Sequence, residues 1–126
     1  MREIKFRAWD KDDNEMLNPM TIQEIAKKEI PPYYAYNLIW LEYTGLKDKN
    51  GIEIYEGDIL SDKWKVQVYQ KNEGPFMIKF NTNPILNKPI SLQKYLKARE
   101  KAETSDVIGY RDCIVIGNIY ENTELL

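Results

Sequence analysis

The strongest constraint on this fold is punctuation: short stretches of alternating or densely apolar residues are closed, one after another, by turn-forming pairs. The first stretch places Ile4, Phe6 and Ala8 on one side and Glu3, Lys5, Arg7 and Trp9 on the other, the period of two of a strand with one buried face. A polar turn at residues 10–14 follows, read as a hairpin tip. Residues 33–43 are rich in aromatic and branched side chains and end in the strand-like run Leu38, Ile39, Trp40, Leu41. Asn50-Gly51 suits a type I′ hairpin turn, with positive φ at both central positions, and Gly57-Asp58 turns the chain into Ile59 and Leu60. Beyond it, Trp64, Val66 and Val68 alternate with Lys65, Gln67 and Tyr69. After a turn at residues 72–75, Phe76, Ile78 and Phe80 alternate with Met77 and Lys79. A last strand is expected at residues 113–120.

Two helices interrupt this pattern. Thr21 and Glu24 form a T-x-x-E capping box with Met20 and Ile25 in staple positions, predicting a helix over 22–29 stopped by Pro31-Pro32. Ser91 can cap a second helix to about residue 102, with Leu92, Tyr95, Leu96 and Arg99 on one face. The expectation is a mainly β (α+β) fold, a small, strongly bent antiparallel sheet or barrel with two short inserted helices. At 126 residues one domain over 1–126 is expected, with a helical insertion at about 81–108.

Composition removes much chemistry. The chain has no histidine and one cysteine, Cys113, which excludes Ser-His-Asp and Cys-His catalysis, zinc fingers, CxxC pairs and an intramolecular disulfide. Eighteen basic against twenty acidic residues give a net charge of -2, without the basic excess typical of nonspecific phosphate binding. Apolar runs such as residues 38–41 fall far short of the about 20 residues that span a bilayer, and the N-terminus lacks the apolar centre of a secretion signal. No membrane association and cytoplasmic residence are expected.

The carboxylates are the remaining candidates for acid/base or metal chemistry. Residues 10–14 begin like a calcium loop, but Glu15 stands where the turn glycine belongs and Thr21 where the bidentate glutamate belongs. Asp48 and Asn50 beside Gly51 favour a turn. Glu53, Glu56 and Asp58 could form a carboxylate group for metal-dependent hydrolysis, though no partner acid or ligand set accompanies them. Cys113 reads as a small buried residue, since Asp112 offsets Arg111. With no Gly-Lys-Ser/Thr loop either, no catalytic residue, cofactor or metal is expected. Two binding features stand out. Trp9, Tyr33, Tyr36 and Trp40, with Tyr34 and Tyr43, are candidates for an aromatic interface. Lys94, Lys97 and Lys101 form a basic stripe on the second helix, diluted by Glu100 and Glu103, that could contact nucleic acid.

Three blocks together resemble a known family. Residues 4–10 (Ile-Lys-Phe-Arg-Ala-Trp-Asp), residues 43–51 continuing through residues 53–59 (Glu-Ile-Tyr-Glu-Gly-Asp-Ile), and residues 115–122 (Val-Ile-Gly-Asn-Ile-Tyr-Glu-Asn) are similar to those of the YopX proteins of phages and prophages. The resemblance implies a mainly β fold, a homo-oligomeric tendency and a phage or prophage origin, and it implies no reaction. The leading expectation is therefore a non-catalytic accessory protein of the bacterial host's cytoplasm that self-associates or captures a host or phage protein. A nucleic-acid-binding regulator is the alternative, and a metal-dependent hydrolase ranks last.

Overall fold

The structure, a computed structural model, describes residues 3–27, 37–61, 66–70, 74–80, 90–103 and 114–125. Its strands are antiparallel and fall into two five-stranded groups that form one strongly curled half-barrel. In the first, β1 (Lys5–Asp10) pairs along its length with β4 (Leu38–Lys47), from Phe6 opposite Glu42 to Asp10 opposite Leu38. The other edge of β1 carries β2 (Glu15–Met16) and β3 (Met20–Thr21), and β5 (Glu53–Tyr55) lies beyond β4. In the second group β6 (Asp58–Leu60), β7 (Val66–Gln70), β8 (Phe76–Phe80) and β9 (Ile90–Ser91) follow in order, and β10 (Val115–Asn118) covers the free edge of β6.

The turn between β5 and β6 stitches the halves together. Glu56 N–H donates to the Glu42 carbonyl at 3.0 Å, Gly57 N–H to the Val68 carbonyl at 2.9 Å, and Ile119 N–H to the Gly57 carbonyl at 2.9 Å. One residue thus bonds two strands' continuations at once. Gly57 takes φ +88°, where a Cβ is disfavoured, and an added Cβ would also sit 3.4 Å from Tyr120.

The helices form where their caps predict. Thr21 Oγ1 accepts from Glu24 N–H at 3.2 Å and Glu24 Oε1 accepts from Thr21 N–H at 3.3 Å, the reciprocal bonds of a capping box. The helix α1 (Ile22–Lys27) that follows is shorter than 22–29, and Pro31-Pro32 lies outside the described residues. Ser91 Oγ accepts from Lys94 N–H at 3.2 Å at the start of α2 (Leu92–Glu103). Leu92 and Tyr95 of α2 join Ile54, Leu60, Val66, Val68, Phe76 and Ile78 in the main core, so this helix packs on its own chain. Each such aliphatic side chain contributes roughly 1.5–3 kcal/mol on burial.

Two local expectations are corrected. At the β4–β5 turn only Gly51 takes positive φ, +81°, so the turn is not type I′. Gly51 N–H instead donates to the Asp48 carbonyl at 3.0 Å and Asp48 N–H to the Ile52 carbonyl at 2.8 Å, a type I turn closed by a left-handed glycine. Asp48 selects it, because its Oδ1 accepts from the N–H groups of both Asn50 and Ile52 at 2.8 Å. The second correction concerns β1, whose charged side is largely covered as well: Trp9 is 8% exposed and the Lys5 and Arg7 side chains 16% and 14%, whereas Ile4 on the apolar side is 50% exposed. That side finds its ionic partners in Glu53 of β5 and, across the two groups, Asp58 of β6.

Candidate functional site

Along the seam, cations of β1 alternate with aromatic rings and carboxylates. Lys5 pairs with Glu53 at 2.5 Å and lies 5.1 Å over the Tyr43 ring. Arg7 pairs with Asp58 and lies 4.8 Å over the Tyr55 ring, and the two tyrosines stand 5.4 Å apart. Asp58, 1% exposed, also accepts from Tyr55 N–H at 2.7 Å, and Tyr55 Oη donates to Glu53 at 3.2 Å. Burial pushes the Asp58 carboxyl up to about 6, although Arg7 and the Tyr55 N–H pull it down, so it is ionised at neutral pH. Burial, and then Glu53, raises the Tyr55 phenol. Arg7 Nε is buried with no hydrogen-bond partner among the described residues. Further along, Trp9 stacks on Tyr120 at 5.7 Å.

These pairings account for two of the three carboxylates that the sequence offers as a hydrolytic group, Glu56 being the third. Glu53 holds Lys5 and Asp58 holds Arg7; Asp48 spends Oδ1 on its own turn and Oδ2 on Val115 N–H at 2.9 Å. Asp10 likewise accepts from the N–H groups of Asp12 and Asp13, closing the hairpin tip. No group of three potential metal ligands occurs among the described residues.

Two concave surfaces flank the seam, and Trp40 borders both. The first, about 310 Å³, is lined by Phe6, Ile22, Ile25, Ala26 and Trp40, all apolar. The second, about 280 Å³, has Leu41, Gly57 and Val68 as buried residues and is bordered by Trp40, Glu56, Gln67, Tyr69 and Tyr120, with Ile39 and Ile119. Burial, and then the Glu42 carboxylate, raises the Glu56 carboxyl; burial, and then Glu56, raises the Tyr120 phenol.

Of the sequence-predicted interface residues, Trp9 is in the interior, because Tyr120 covers its ring. Trp40 is half-buried at the two clefts, and Tyr33 and Tyr36 lie outside the described residues. Lys94 and Lys97 are exposed on α2, while the side chain of Lys101 falls outside the described residues, as does Cys113. The seam residues Arg7, Tyr55 and Asp58 and the cleft residue Tyr120 lie within the three family-like blocks, while Tyr69 lies outside them. Apart from those blocks, the seam is signalled by an arginine on one side of a strand with a carboxylate at a glycine turn, which is too common to single out.

The family model for the YopX protein matches residues 20–126. The chain belongs to the YopX family. The match takes in the strands β3 to β10 and both helices, while the opening block at residues 4–10 precedes it. Along its whole length this YopX protein is also similar to a solved structure, the crystal structure of protein EF1440 from Enterococcus faecalis. The two share 26% identity and superpose with a TM-score of 0.59, over 100% of this chain and 99% of that one. No curated protein matches the chain at a significant level. No helix among the described residues is long and apolar enough to cross a membrane.

Proposed function

We propose that this YopX protein is a non-catalytic accessory protein of a phage or prophage, acting in the bacterial host's cytoplasm by self-association or by holding a partner protein. The observation that supports this best is the apolar surface beside α1. The β1–β3 register pairs Lys5 with Thr21 and Phe6 with Met20, which brings Ile4 toward Ile22. Those two are 50% and 47% exposed, and Ile22 lines the apolar cleft with Phe6, Ile25 and Trp40. Contiguous exposed apolar side chains of this kind mark association surfaces. Light scattering across a wide concentration range is expected to give a mass above the 14.9 kDa of one chain, and Ile22→Lys to shift it toward that value. A strict monomer at every concentration would remove self-association.

The exposed Lys94 and Lys97, three residues apart on α2, favour the second reading, a regulator that binds nucleic acid. It predicts retention on DNA or RNA at low salt that is lost as salt rises, through counterion release. Absence of retention at low salt ends it.

A further inference from the structure

The residues lining the 280 Å³ cleft form an unusual set: the three aromatic residues Trp40, Tyr69 and Tyr120 and one carboxylate, Glu56, with neither lysine nor arginine among the described ones. Elsewhere along the seam the same elements occur in filled form. Lys5 sits over Tyr43 against Glu53, and Arg7 over Tyr55 against Asp58. Two carboxylate-aromatic groups are thus satisfied by the protein's own cations, whereas at Glu56 none lines the cleft among the described residues.

We infer that this cleft binds an organic cation, an ammonium or guanidinium group, with Glu56 as counter-ion and the faces of Trp40, Tyr69 and Tyr120 as walls. Size narrows the ligand. About 280 Å³ lies just below the usual range of small-molecule sites, which suits one basic side chain or a small alkylammonium. Aromatic faces attract such cations electrostatically, and more strongly where water is partly excluded, as over the buried Leu41 and Val68. The inference is independent of self-association, because ligand titration and molecular mass are read separately.

Two probes distinguish a partner's side chain from a free amine: N-acetyl-arginine methylamide and tetramethylammonium chloride. Each is titrated into ¹⁵N-labelled protein, following the Trp40 indole N–H and the amides of Gly57, Val68 and Ile119. Saturable shifts at these positions in the millimolar range are expected with at least one probe. Glu56→Gln, whose unperturbed spectrum elsewhere reports an intact fold, is expected to weaken binding at least tenfold. The citrulline analogue, neutral and of the same shape, is expected to produce no shift. A stronger response to the arginine probe indicates a protein side chain, and a stronger response to tetramethylammonium a free amine. No saturable shift with either, or equal binding by Glu56→Gln, overturns the inference.

Discussion

Replacing Arg7 by methionine is expected to destabilise the protein by about 3–5 kcal/mol, because it leaves the Asp58 carboxyl without its partner in the interior, where it must carry an unpaired charge or take up a proton. Urea unfolding at pH 7 measures it, the midpoint falling without a change in slope. A second substitution separates the pair from mere loss of packing. Arg7→Met combined with Asp58→Leu removes both charges, and replacing a buried ion pair by apolar side chains is often neutral. The double variant is expected to recover most of the loss, although Tyr55 N–H then lacks its acceptor, at a cost of about 1–3 kcal/mol. If the single and double variants are equally destabilised, the ion pair is not what holds the seam.

The pH dependence follows from the same group. The folded-state value of Asp58, about 6, lies above its ordinary 3.8, so its titration favours the folded state most below 3.8 and that contribution is lost as pH rises through 6. Without Arg7 the carboxylate loses the charge that draws its value down. The Arg7→Met penalty is therefore expected to be smaller near pH 5, where the acid is neutral, than at pH 8.

Gly117→Ala is expected to be the second severe change. Gly117 sits at the irregularity where β10 shifts register against β6, opposite Ile59. A Cβ there would overlap Asn122 Oδ1 and come within 2.6 Å of its Cγ and 3.0 Å of its Cβ. Asn122 cannot simply swing away. Its Oδ1 accepts from Asn118 N–H at 3.1 Å and its own N–H donates to the Asn118 carbonyl at 3.0 Å, which together close the turn after β10. Forced displacement of this kind costs about 1–3 kcal/mol, and the lost hydrogen bond about 1 more. Thermal unfolding of Gly117→Ala with and without Asn122→Gly checks it, since deleting the Asn122 side chain removes the overlap. The cost of the alanine should then fall below about 1 kcal/mol, and a cost unchanged by the second substitution would contradict the contact.

Much of the fold was legible from local chemistry. The capping box at Thr21 and Glu24, the Ser91 cap and the alternation of Val66 with Val68 and of Phe76 with Ile78 each depend on neighbours within four residues, and each occurs as expected. Where a distant partner decides, local pattern misleads. Lys5, Arg7 and Trp9 look like the wet side of a strand, but Glu53, Asp58 and Tyr120 cover them from elsewhere in the chain. The turn at Asn50-Gly51 went the same way, because the dipeptide permits type I′ geometry and the Asp48 carboxylate overrides it. The cleft was the least legible feature of all. Trp40, Glu56, Tyr69 and Tyr120 come from four separate stretches of sequence, and none of them is distinctive until the curled sheet brings them together.

The bond from Val115 N–H to Asp48 spans 67 positions, and the ion pair from Arg7 to Asp58 spans 51. Ties of such separation must close large loops before any native contact rewards them, which places the chain among slow folders, in the millisecond-to-second range rather than the microsecond one. During synthesis the order matters further. β6 emerges long before β10, so its outer edge stays unpaired until the residues of β10 are made. Over that interval a nascent chain offers an open strand edge to its neighbours on the same message, and Ile59 and Leu60, wholly buried in the finished protein, lie along it.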